Sequence, residues 1–157
     1  MTIVPKDICE KEEIKVIGFS IIESLNSVLE HKTVRMLREE LTKRKHEVKN
    51  KRREGIYLIQ IYPAKGEWTP DVPYEHIVGI EVKSLEEIPD GMMGHIVPAG
   101  RYANFVHKGP ESAIGKTYDL INQYSLRPFD IEYWDDIETL ENQNSHIDIY
   151  IPVTQKL

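Results

Sequence analysis

The segment Phe129-Asp130-Ile131-Glu132-Tyr133-Trp134 carries the residue types best suited to ligand chemistry. Side chains of an extended strand alternate between faces, so Asp130, Glu132 and Trp134 share one side and Phe129, Ile131 and Tyr133 the other. The run from Ile147 to Val153 alternates likewise, with Ile147, Ile149 and Ile151 forming an apolar face and Asp148 and Tyr150 pointing away from it. Carboxylates beside aromatic rings make a seat for a lipophilic cation, because charge attraction combines with ring faces worth about 0.5–2 kcal/mol per contact. A solvated sheet face gives the same alternation, since acids also occupy positions that meet water. Pattern alone leaves both readings open.

Other chemistries find less support. The six histidines show no close pair at metal-ligand spacing, and the single Cys9 makes no zinc motif, so neither a metal nor a cofactor is expected. Gly115-Lys116-Thr117 ends like a phosphate loop but lacks the upstream glycine, and Gly91-x-x-Gly94 matches no such loop. Ser20, Ser24 and Ser27 have no nucleophile-elbow pattern around them.

Positioning such residues requires a folded domain, and 157 residues suit one core rather than two. The apolar stretch from Ile14 to Leu29 is interrupted by Lys15, Glu23 and Asn26, so no membrane span is expected. One cysteine and no apolar leader point to a reducing cytoplasm. The formal charge of −6 is unevenly spread: residues 32–53 hold ten of the 20 basic side chains and three of the 26 acids. Clustered Lys and Arg neutralise phosphates. No second helix follows at a short turn, however, and no aromatics interleave, so direct DNA binding is not expected. A solvated face, or a contact surface for an acidic protein partner, remains.

The elements follow from periodicity. Ile14 to Ile22 reads as a strand; Val34, Leu37, Leu41 and Val48 place one apolar stripe on a helix spanning 33–50. Ile56–Tyr62 and Tyr74–Val82 read as strands, and His95–His107 as one long strand bent at Pro98 and Gly100. Ile114, Thr117, Tyr118, Ile121 and Tyr124 mark a second helix, followed by strands Phe129–Asp135 and Ile147–Val153. Strand, helix, strand, strand thus occurs twice. The prediction is one α+β domain over 1–157, built from two βαββ halves at about 10–85 and 92–155. Its curved antiparallel sheet would carry two helices on one face, leaving Glu132 and its neighbours on the open face.

The run Pro98-Ala99-Gly100-Arg101-Tyr102-Ala103-Asn104-Phe105-Val106-His107-Lys108-Gly109-Pro110, with Thr117-Tyr118-Asp119 and Ile147-Asp148-Ile149-Tyr150-Ile151-Pro152-Val153, resembles the GyrI-like small-molecule-binding family. Val16-Ile17-Gly18 and Ile80-Glu81-Val82 extend the likeness over nearly the whole chain. That family includes effector-binding domains of multidrug-responsive bacterial transcription regulators and free-standing relatives. The resemblance implies a tandem βαββ fold with a pseudo-twofold axis, and a glutamate after the second helix that pairs with cationic, aromatic ligands; Glu132 stands at the matching position. Trp134, Tyr150 and Tyr57 join it, from strand alternation, as candidate ligand-binding walls. About 13 residues precede the first expected strand, too few for a helix-turn-helix, so a stand-alone effector-binding protein is expected. Two alternatives remain: a hydrolase of cyclopropane-containing DNA-alkylating compounds with Glu132 catalytic, and an interaction module acting through the basic helix 33–50.

Overall fold

β-Branched and aromatic runs pair here into a single antiparallel sheet, and the helices between them cover one of its faces. A computed structural model describes residues 5–64, 66–124 and 127–153; residues 1–4 and 154–157, at the ends of the expected domain, and the side chain of Tyr124 lie outside the described residues. The strands are β1 (Asp7–Lys11), β2 (Ile14–Glu23), β3 (Ile56–Ile61), β4 (Tyr74–Val82), β5 (Met93–Val97), β6 (Gly100–Lys108), β7 (Phe129–Trp134) and β8 (His146–Pro152). The α-helices are α1 (Leu25–His31), α2 (Thr33–Lys43) and α3 (Ile114–Tyr124).

The sheet order is β1-β6-β8-β7-β3-β4-β2-β5. Each βαββ half contributes three adjacent strands, β2-β4-β3 and β6-β8-β7, and the halves meet at the central β3–β7 pair. The short strand preceding each half pairs with the other: β1 lies against β6, and β5 against β2. This reciprocal exchange gives the pseudo-twofold arrangement expected for a tandem repeat.

The exchange also overturns the single long strand expected over 95–107. Only Pro98 and Ala99 separate β5 from β6, yet these strands lie near opposite ends of the sheet order. The sheet must therefore curl until its ends approach. Val97 on β5 and Tyr102 on β6 accordingly share one apolar cluster, and the Tyr102 hydroxyl donates to the Pro98 carbonyl at 2.6 Å. Close strand approach inside the curl has a sequence cause at Gly18, where a Cβ would lie 1.9 Å from the Val78 carbonyl oxygen.

The first helical region also differs from the prediction. α2 ends at Lys43, and a 3-10 turn over Lys45–Glu47 carries the chain to Val48, which still reaches the core. The apolar stripe is right and the single long helix is not. Before it stands α1, capped by the Ser24 hydroxyl accepting from the Ser27 N–H and ended by Lys32 in the left-handed region. Among the described residues, three α-helices thus replace the expected two.

Candidate functional site

The β3–β7 pairing fixes the floor of the site. Trp134 stands opposite Ile56, Glu132 opposite Leu58 and Asp130 opposite Gln60. Ile56, Leu58 and Trp134 belong to the same core as Leu41 of α2 and Ile121 of α3. Glu132 and its two neighbours consequently look toward the helices, not onto the open face that the alternation predicts. Curling is the reason: it packs Ile14, Val16, Tyr57, Ile59, Ile77, Val97, Tyr102, Ile131 and Tyr133 together, so the face expected to stay open is filled by the chain's own side chains.

Glu132 is 4% exposed and held by two neutral donors. The Tyr118 hydroxyl, from α3, donates to Oε2 at 2.6 Å, and the Trp134 indole N–H donates to Oε1 at 2.9 Å. Among the described residues, no Lys, Arg or His forms an ion pair with it. Burial raises its carboxyl to about 7; the two hydrogen bonds oppose that rise, and the negative charges of Asp130 and Glu111 add to it. The Tyr118 hydroxyl is in turn pushed well above its ordinary range by burial and by the Glu132 charge.

Asp130, two residues earlier and fully buried, is furnished differently. It accepts from Gln60 at 2.6 Å and from the Tyr62 hydroxyl at 2.6 Å, and pairs with the Arg127 guanidinium at 2.8 and 3.1 Å. Among the described residues, its charge is matched by Arg127, whereas Glu132 forms no ion pair.

Aromatic residues line the adjoining end of the sheet. Tyr62, just past β3, stacks on Tyr74 at 5.0 Å, and Trp68 from the intervening loop meets both edge-on at 5.9 Å. Tyr74 also touches the His76 ring at 4.0 Å. The buried indole N–H of Trp68 has no hydrogen-bond partner among the described residues. Tyr118, Tyr62, Trp68 and Tyr74 were not singled out as ligand contacts from sequence, although Tyr118 lay on the expected helix stripe and aromatics flank the proline-containing loop on both sides.

Of the four expected contacts, the structure brings only Glu132 and Trp134 together. Tyr57 lies on the other face, donating to Glu81 at 2.9 Å and packing on Tyr133 at 4.8 Å. Tyr150 lies on that face too, beneath the Lys11 ammonium at 4.1 Å. The basic segment 33–50 is partly paired: Arg44 binds Glu47 at 2.7 Å and Arg35 lies 3.7 Å from Glu39 within it, and Arg38 binds Glu111 before α3. Among the described residues, no cluster of His, Cys, Asp or Glu could hold a metal ion, and no helix is long and apolar enough to cross a membrane.

A family model described as Cass2, integron-associated effector binding protein, matches residues 7–153. The chain belongs to the Cass2 family. It is thus an effector-binding domain of GyrI-like type. The transcriptional regulator BrlR of Pseudomonas aeruginosa is 30% identical over 131 residues, covering 77% of this chain. The matched part is 46% of BrlR, so the chain spans about half the length of that curated relative. Among solved structures, SAV2435 bound to tetraphenylphosphonium superposes with a TM-score of 0.73 at 13% identity, over 94% of this chain and 93% of that one. The Vibrio cholerae integron cassette protein VCH_CASS2 gives 0.63 at 18% identity, over 94% and 95%. At such identities the two structures establish the shared fold.

Proposed function

We propose that the chain binds a lipophilic organic cation beside Glu132, with Trp134 and the Tyr62, Trp68 and Tyr74 rings as walls. The observation that carries this is the contrast on β7: among the described residues, Asp130 has Arg127 as countercharge and Glu132 is held by two neutral donors. An ionised carboxylate buried without a countercharge is costly, and an incoming cation removes that cost while the rings add cation–π attraction. The relative solved with tetraphenylphosphonium supports the same ligand class. The likeness to BrlR supports a role in sensing effectors for transcription control.

Isothermal titration with tetraphenylphosphonium and with its neutral analogue tetraphenylsilane, solubilised in matched co-solvent, tests the reading. The cation is expected to bind and the neutral compound to bind at least tenfold more weakly, a preference that Glu132→Gln removes. Equal affinities in the wild-type protein refute the anchor role.

One observation favours a second reading. A carboxyl raised to about 7 is suited to general base chemistry near neutral pH, which fits hydrolysis of a strained electrophilic ring. Multiple turnovers of a cyclopropane-containing electrophile, lost in Glu132→Gln, would favour the enzyme; stoichiometric sequestration would favour the binder.

A further inference from the structure

Arg38 reaches from α2 onto the ring of Trp134, its guanidinium carbon 4.6 Å from the ring centroid. The N–H of that same ring holds Glu132. Both terminal nitrogens of Arg38 donate to Glu111, at 2.9 and 3.2 Å, in the turn over Glu111–Ala113 that leads into α3. One side chain therefore ties α2 of the first half to the start of α3 of the second, across the indole. It is also drawn in: its side chain is 11% exposed, against 61% for Arg35 one turn away.

We propose that Arg38 is the resident cation of this site, a side chain that a ligand must displace to stack on Trp134, so that it sets how bulky and lipophilic an incoming cation must be. This rests on the reading of Glu132 as anionic anchor. A guanidinium over an indole makes the same contact that an aromatic-seeking ligand would make, so the two compete for one ring. Apparent affinity falls by the fraction of molecules in which the ring is free. A small hydrated cation gains too little to break a bidentate guanidinium–carboxylate pair along with the stacking. A large delocalised cation adds apolar burial and can replace it. Displacement also releases the Glu111 carboxylate, already near enough to influence Glu132, to face the ligand.

The test titrates tetraphenylphosphonium and the smaller benzyltrimethylammonium into the wild-type protein, Arg38→Met, Arg38→Lys and Glu132→Gln, each checked for folding by circular dichroism and melting. Arg38→Met is expected to bind tetraphenylphosphonium about five- to tenfold tighter. Benzyltrimethylammonium should gain by a larger factor, which narrows the selectivity, and Arg38→Lys should fall between. Where Arg38→Met does not fold, Arg38→Lys decides. Unchanged or weaker binding by a folded Arg38 variant overturns the displacement; if Glu132→Gln still weakens tetraphenylphosphonium binding at least tenfold, the anchor reading survives that failure. Absence of binding by every protein, Arg38→Met included, overturns both.

Discussion

Asp130 and Glu132 stand two residues apart on one face of β7, both nearly sealed from water; among the described residues Asp130 pairs with a cation, Arg127 at 2.8 Å, and Glu132 pairs with none. The pair thus carries one internally matched charge and one unmatched charge. Folding tolerates the second because Tyr118 and Trp134 each supply a hydrogen bond and because the carboxyl can keep its proton up to about pH 7. Stability, ligand charge and pH are therefore linked through one side chain.

The first consequence concerns stability. Glu132 titrates near its ordinary 4.5 in the unfolded chain and about 7 in the folded one. Between these values the folded state holds a proton that the unfolded state has lost, so the stabilisation is complete below pH 4.5 and falls away as pH rises through 7. Glu132→Gln removes this dependence. Urea unfolding should find the variant about 3 kcal/mol more stable than wild type at pH 8 and nearly equal to it at pH 4.5. His76 and His95, both held below their usual range by burial, act in the opposite direction in each protein, so the difference between the two proteins is the quantity to follow. A constant difference across the range would contradict the assignment.

Ligand binding should show the converse pH dependence. A cation of fixed charge favours ionised Glu132, so affinity for tetraphenylphosphonium is expected to rise from pH 5.5 to 8, by up to about tenfold per unit below pH 7, and then level off. Binding near pH 6.5 should also release protons, detectable as a change in apparent enthalpy between phosphate and Tris buffers. A flat affinity profile would remove Glu132 titration from the mechanism.

How far the sequence could be read depended on whether a residue met water. β4, β7 and β8 were legible because alternation or continuous apolar runs marked them. α1 was not, since Val28 is its only buried residue and one position has no period. β1, the charged edge strand Asp-Ile-Cys-Glu-Lys, hid for a similar reason. Pro98 signals a break in pairing equally well for a bent strand and for a chain crossing between sheet ends, so β5 and β6 were merged. Glu132 and Trp134 were correctly grouped by alternation. Their direction was mistaken because five of the six residues of β7 are buried, and polar character no longer marked the wet side.

Asp130→Asn tests the matched half of the pair. The Arg127 side chain is 5% exposed, and the substitution deprives it of its carboxylate at 2.8 Å. Removing one partner of a buried ion pair costs about 3–5 kcal/mol, so urea unfolding should show a loss of at least about 3 kcal/mol. A double-mutant cycle with Arg127→Met should return part of that loss, since the charges then disappear together. A loss under about 1 kcal/mol would mean that Asp130 is not the countercharge.

The placement of Tyr57 and Tyr150 gives a test of which face receives the ligand. Trp68 is half-buried in a loop and borders the aromatic wall on the Glu132 side, whereas Tyr57 and Tyr150 belong to the cluster on the opposite face. Trp68→Ala should weaken tetraphenylphosphonium binding by roughly three- to thirtyfold, the value of one lost ring contact. Tyr57→Phe and Tyr150→Phe should change it by less than about twofold, although Tyr57→Phe should cost about 1 kcal/mol of stability through its bond to Glu81. Isothermal titration distinguishes the faces directly. A loss in either tyrosine variant equal to that in Trp68→Ala would move the ligand to the interior of the curl, where the Glu81 carboxylate rather than Glu132 would have to meet its charge.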